Sequence, residues 1–125
     1  MPIRGIRGAT VVADNDATQI VSETKTLLDR LIKENHLQIE EIASIFFSVT
    51  TDLNAEFPAV AARELGLTAT PLLCLTEIPV PNSLAKCIRI LIQVNSEKAQ
   101  SEMVHLYLKE AEQLRPDSVK KAAVE

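Results

Sequence analysis

Apolar residues recur at helical spacing in one long stretch of the chain and at alternate or continuous positions in four others, and this contrast lays out its elements. Ile20, Val21, Thr24, Leu27, Leu28, Leu31 and Ile32 fall three and four residues apart and line one face of a helix. Asp16, with Gln19 three residues on, is its predicted N-cap after the turn-rich Ala13-Asp14-Asn15-Asp16, and Asn35-His36 ends it. Residues 3 to 12 before this helix and Ile42 to Thr50 after it read as strands, the latter alternating small polar with large apolar residues. A short second helix is predicted with Pro58 in its first turn and Gly66 just past its end. Its spacing assigns Phe57, Ala61 and Leu65 to an inner stripe and places Ala59 and Arg63 on the opposite face, so that Arg63 points away from the chain's own core. A third strand covers about Pro71 to Ile78, Pro79-Val80-Pro81-Asn82 makes a rigid turn, and a fourth strand runs from about Lys86 to Val94. Met103, Leu106 and Tyr107 have helical spacing and predict a third helix from Ser96 or Ser101 onward. An extended Gln113-Leu114-Arg115-Pro116-Asp117 and a mobile tail follow it.

The order strand-helix-strand-helix-strand-strand predicts an α+β fold, an α/β-like sandwich in which helices cover one face of a mixed sheet. The fourth strand shows what lies on the other face. Ile88, Ile90, Ile92 and Val94 make one apolar side, whereas Cys87, Arg89, Leu91 and Gln93 make a mixed one. A face carrying Leu and Cys is rarely left wet, and its most economical cover is a copy of the same chain. A homo-oligomer is therefore expected, with charged strand residues brought into clefts between subunits.

Three charges sit in strand-like, apolar stretches: Arg7 in Ile3–Val12, Glu77 in Leu72–Ile78 and Arg89 in Cys87–Val94. A guanidinium in apolar surroundings needs an anionic partner. Glu77 meets that need if it forms a structural ion pair with Arg89 or Arg7. A ligand meets it equally well, because Arg7, Arg63, Arg89 and Arg115 outnumber Glu77 and suit a small molecule with two carboxylates and a hydroxyl. Arg4, Lys25 and Arg30 are assigned to solvated faces.

Composition narrows the classes. A chain of 125 residues fits one domain. Aromatics are only 3% with no Trp, which implies an aliphatic core and leaves no platform for stacking bases. A net charge of -4 and no basic run argue against nucleic acid or an anionic membrane surface as partners. No apolar run approaches the roughly 18 residues of a membrane span, and Met1-Pro2-Ile3-Arg4 lacks the core of a secretory signal, so a cytoplasmic location is expected. Cys74 and Cys87 are expected as free thiols. Together with His36 and His105 they are too scattered for a zinc site, and no metal is expected. None of the common nucleophile, phosphate-loop or dinucleotide motifs is present.

The segments Ile3-Arg4-Gly5-Ile6-Arg7-Gly8-Ala9-Thr10, Thr51-Asp52-Leu53, Phe57-Pro58-Ala59 and Ala62-Arg63-Glu64-Leu65 carry a resemblance. So do Glu77 before the Pro turn, Cys87-Ile88-Arg89, His105-Leu106-Tyr107-Leu108 and Leu114-Arg115-Pro116-Asp117. Together they resemble the small trimeric α/β chorismate mutases of bacteria along the whole chain. The resemblance implies a single catalytic domain over residues 1–117 with a flexible tail at 118–125. It also implies a homotrimer with a pseudo-barrel core and active sites at subunit interfaces. The implied reaction is the intramolecular Claisen rearrangement of chorismate to prephenate, on the route to phenylalanine and tyrosine, without a cofactor. It gives Arg89 the ether oxygen and a substrate carboxylate, with Arg7 and Tyr107 on the enolpyruvyl carboxylate. Glu77, assisted by Cys74, takes the ring hydroxyl. Phe57, Ala59 and Leu114 shape the wall, and Arg63 and Arg115 stand at the mouth. Some relatives place a lysine where this chain has Val60, and any contact made there is missing. A non-catalytic trimeric binder of small dicarboxylates stays open as an alternative, and a hydrolase or deaminase using Glu77 as general base as a weaker one.

Overall fold

The computed structural model describes residues 1–115. The strands are β1 (Ile3–Val11), β2 (Ile42–Val49), β3 (Leu72–Thr76), β4 (Cys87–Asn95) and β5 (Leu106–Tyr107), and the helices are α1 (Ala17–Glu34) and α2 (Ala59–Glu64). Single 3-10 stretches lie at Ile39–Glu41, Gln100–Glu102 and Lys109–Leu114. The predicted extension through Pro116-Asp117 and the tail at 118–125 fall outside the described residues.

α1 starts where its cap demands. The Asp16 backbone is extended and its carboxylate accepts the Gln19 N–H at 3.0 Å, which satisfies one of the orphan donors of the first turn. Ile20, Thr24, Leu27, Leu28 and Leu31 form its buried stripe, as the spacing predicts. These residues meet β1 closely at Gly8. A Cβ there would lie 2.7 Å from Leu31 Cδ1 and 3.1 Å from Leu27 Cδ1, so any larger residue would force these buried side chains to shift. α2 ends at Gly66, whose φ of +95° is a left-handed conformation that side chains resist.

The sheet order is β3-β2-β4-β1-β5. Central β4 runs antiparallel to β1 and β2, while β2/β3 and β1/β5 are parallel, giving the expected mixed sheet. A register shift between Ile42 and Ser44 opposes Ala43 to no residue of β4 and bends the start of β2. Both helices cover one face. Ile90, Ile92 and Val94 pack there with Ile6, Ile45 and Phe47 of neighbouring strands and with Leu27, Leu28 and Leu31 of α1 and Ala59 and Ala62 of α2.

Three expectations are corrected. Phe57 precedes α2 and is 65% exposed, whereas Ala59 is buried beside Ala61 and Ala62. The helix is one and a half turns long and turns its small residues inward, toward α1, so the bulky Phe57 and not Ala59 is left outside. The third helix is replaced by two 3-10 turns flanking β5. The outer edge of β1 otherwise lacks backbone partners, and Leu106 and Tyr107 supply them opposite Gly8 and Ala9. Lys109, at φ +54°, then breaks any helical continuation. Finally, Arg7 is exposed in the single chain and is not buried within the sheet.

Candidate active site

Arg89 lies on the face of the sheet that the helices leave uncovered. Its strand neighbours are Ala9 on β1 and Ser48 on β2, and Arg7 and Phe46 flank Leu91 one row along. β3 ends at Thr76, but the Glu77 N–H donates to Val49 C=O at 2.8 Å and extends the ladder by one rung. That rung brings the Glu77 carboxylate over Ser48. Ser48 Oγ donates to Glu77 Oε2, and Glu77 Oε1 faces Arg89 Nη1 at 3.5 Å.

This one long contact leaves the guanidinium only partly compensated. The Arg89 side chain remains 38% exposed and that of Glu77 25% exposed. So exposed a pair contributes at most about 1 kcal/mol to stability. A cavity of about 510 Å³ opens beside it, lined by Arg7, Ser48, Glu77, Arg89, Leu91 and Tyr107 among others. This volume suits a small ligand. The cavity therefore offers cationic donors, one oriented carboxylate and an apolar floor. Among the described residues, no cluster of histidines, cysteines or carboxylates is arranged to hold a metal ion.

The start of β4, two residues before Arg89, is clamped. The Asp52 carboxylate accepts the Lys86 N–H at 3.0 Å and the Thr50 hydroxyl at 2.5 Å, while Thr50 Oγ1 accepts the Cys87 N–H at 3.0 Å. Lys86 is held in a left-handed conformation, φ +48°, that these bonds compensate. Desolvation raises the Asp52 pKa, but the Thr50 hydroxyl and the Lys86 N–H outweigh it and hold the carboxyl below its usual range. At the same end of the sheet, on the uncovered face, Ala9, Val11, Cys87 and Ala111 are buried together, with Leu84, Tyr107 and Leu114 packed against them. Burial pushes the Cys87 thiol up to about 11, although the nearby Arg89 pulls the other way.

The sequence-predicted residues divide among several places. Arg7, Glu77, Arg89 and Tyr107 share the cavity just described. Arg115 lines an adjoining cleft that also contains Arg7, Arg30, His105 and Tyr107. Cys74 stands opposite Phe47, on the helix side of β3, and lines a separate pocket of about 320 Å³ with Phe57. Ala59 is buried, and Arg63 is exposed on α2. Leu114 belongs to the Cys87 cluster. Among the described residues, the Glu77 carboxylate bonds to Ser48 and Arg89 and not to Cys74. Within one chain, then, Arg7, Glu77, Arg89 and Tyr107 gather at one cationic cavity, while Phe57, Cys74, Ala59 and Arg63 lie elsewhere. Sequence reasoning missed Ser48, which orients Glu77, although the period-2 alternation puts it on Arg89's face. It also gave no role to Thr50, Asp52 or His105.

The family model for chorismate mutase type I matches residues 3–118. The chain belongs to the chorismate mutase type I family. It is 43% identical to chorismate mutase AroH of Bacillus subtilis (strain 168) over 118 residues, covering 94% of this chain and 93% of that protein. To chorismate mutase AroH of Thermus thermophilus it is 44% identical over 116 residues, covering 92% and 95%. The solved structure of a chorismate mutase from Clostridium thermocellum superposes with a TM-score of 0.87 at 50% identity, covering 88% of this chain and 98% of that one. The mixed five-stranded α+β fold is thus the fold of this chorismate mutase family.

Proposed function

We propose that this chain is a chorismate mutase, an isomerase that converts chorismate to prephenate on the route to phenylalanine and tyrosine. The observation that carries the reading is the half-compensated Arg89 beside an open cavity, with Glu77 fixed by Ser48 next to it. A Claisen rearrangement is unimolecular and needs no nucleophile. Its transition state requires the enolpyruvyl side chain folded over the ring and places negative charge on the ether oxygen as the C–O bond breaks. Conformational restraint and a preorganised cation are the means available to lower that barrier. In this reading Arg89 meets the ether oxygen and a carboxylate, Arg7 and Tyr107 hold the enolpyruvyl carboxylate, and Glu77 accepts the ring hydroxyl. No cofactor takes part.

The site is completed by a second copy in a homotrimer. The division of the candidate residues supports this: Phe57 and Cys74 line a pocket away from Arg89's cavity, and Arg63 is exposed on α2. Leu73, Leu75, Ile78 and Val80, at and beyond the β3 edge, are exposed apolar residues that a neighbouring copy would cover. Leu114 and Arg115 close the outer wall. Residues 1–117 act as one catalytic domain. The protein works in the cytoplasm, a placement consistent with the lack of any helix among the described residues long and apolar enough to cross a membrane.

Purified protein should deplete chorismate, followed by ultraviolet absorbance, with prephenate as the only product. A dicarboxylate binder would instead raise its melting temperature with chorismate while leaving it intact. Release of ammonia or pyruvate would mark the hydrolytic alternative. Mixing Arg89→Ala with Arg63→Ala protein tests the shared site, because exchanged subunits recover activity only when the two arginines serve one pocket from different copies.

A further inference from the structure

We propose that His105 is the positioning residue for Arg7: by accepting the Arg7 backbone N–H through Nδ1, it sets where the Arg7 guanidinium enters the cleft. The inference rests on the reading of Arg7 as a carboxylate-binding group. The outer edge of β1 is completed by side chains as much as by a strand. Gln100 pairs with both backbone groups of Gly5, at 2.9 and 2.6 Å. His105 Nδ1 accepts the Arg7 N–H at 2.9 Å, and the Leu108 N–H reaches Ala9 C=O at 2.9 Å. The imidazole occupies the place of a strand carbonyl. Of these rungs, it alone depends on a proton.

The segment carrying His105 is fixed on both sides. Asn35, buried at the C-terminal end of α1, accepts the Val104 N–H at 2.8 Å and donates to Val104 C=O at 2.9 Å. Beyond His105, β5 pairs in register with Gly8 and Ala9 and delivers Tyr107 to the substrate cavity. One ring thereby ties Arg7 and Tyr107, two groups of the same carboxylate subsite, to the C-terminal end of α1.

A ring that accepts through Nδ1 is neutral and carries its proton on Nε2. Its surroundings favour that form. Burial first, and then the Arg7 charge, hold its pKa below the ordinary histidine value. The other charged or titratable groups lining the cleft are Arg30 of α1, ion-paired with Glu34, Arg115, ion-paired with Glu112, and Tyr107. Acid that protonates Nδ1 sets a donor against the Arg7 N–H and removes the rung. Arg7 and β5 then shift together.

The test compares wild type with His105→Asn, whose side-chain oxygen can accept the same N–H without titrating, and with His105→Phe, which cannot accept it. Wild-type KM for chorismate should climb as the pH falls through the lowered His105 range, with kcat changing less. His105→Asn should show a flat KM over that range, and His105→Phe a KM raised about tenfold at every pH, the usual scale for one lost hydrogen bond. An acid limb that persists in His105→Asn, or wild-type KM in His105→Phe, would overturn the proposal. Substrate-free protein gives an independent readout. The Arg7 amide resonance in ¹H–¹⁵N spectra should follow the His105 titration in wild type and stay constant in His105→Asn, and a constant resonance in both would also overturn it. Amide titration in a protein that leaves chorismate untouched would support the rung while refuting the mutase reading.

Discussion

Ile90 and Arg89 are consecutive residues of β4, and they serve opposite purposes. Ile90 faces α1 and α2 and is 2% exposed, in a cluster of aliphatic side chains. Arg89 faces away, half-exposed beside a cavity, with Glu77 in incomplete contact. The difference shows how one strand divides its work. The covered face holds the sheet together by burial, and the uncovered face leaves charge only partly compensated beside an open cavity.

The sharpest separation comes from substitutions that touch only the covered face. Ile92→Ala, in the core and outside the cavity lining, should cost about 2–5 kcal/mol of unfolding free energy in a denaturant titration, while the protein that stays folded keeps its kcat/KM. A loss of kcat/KM without a loss of stability would break the division between the faces. Cys87 tests its boundary, since it lies in Arg89's row but is buried by the C-terminal 3-10 turn. Its folded pKa of about 11 exceeds the ordinary 9.0, so the thiol stays protonated in the fold while the unfolded chain ionises. This contribution is fully present below pH 9 and declines from pH 9 to 11, by roughly 2–3 kcal/mol at most. Replacing Cys87 with Ala should flatten that alkaline decline relative to wild type, and parallel curves would show that Cys87 is solvated like the rest of its face. The smallest effect belongs to Thr10 on the covered face. Its hydroxyl is fully buried without a hydrogen-bond partner among the described residues. Thr10→Val should raise stability by about 1 kcal/mol, read as a higher denaturant midpoint. A lower midpoint would mean that the hydroxyl is satisfied after all.

Much of this division is legible in the sequence, because alternation is a local property. The period of two in Cys87–Val94 separates the two faces, and the 3.6-residue period of α1, with Asp16 at its cap, predicts which stripe is buried. Arg89 and Glu77 stand out by charge alone. What escaped is what depends on distant segments. The stretch around Met103, Leu106 and Tyr107 has helical spacing, yet the unpaired edge of β1 recruits it as β5. α2 is too short for its stripe to be fixed by period, so the inward turn of Ala59 follows from packing against α1. Ser48 acquires its role only because β3 carries Glu77 one rung past its end. His105 acquires its own because its ring lands on the Arg7 N–H.

The central claim is that the uncovered guanidinium lowers the barrier to rearrangement and does little for stability. Arg89→Ala should therefore reduce kcat/KM for chorismate by at least a hundredfold, equivalent to about 3 kcal/mol of lost transition-state stabilisation, with a denaturation midpoint close to wild type. A variant that turned over chorismate at the wild-type rate, or that lost activity only by unfolding, would contradict the account.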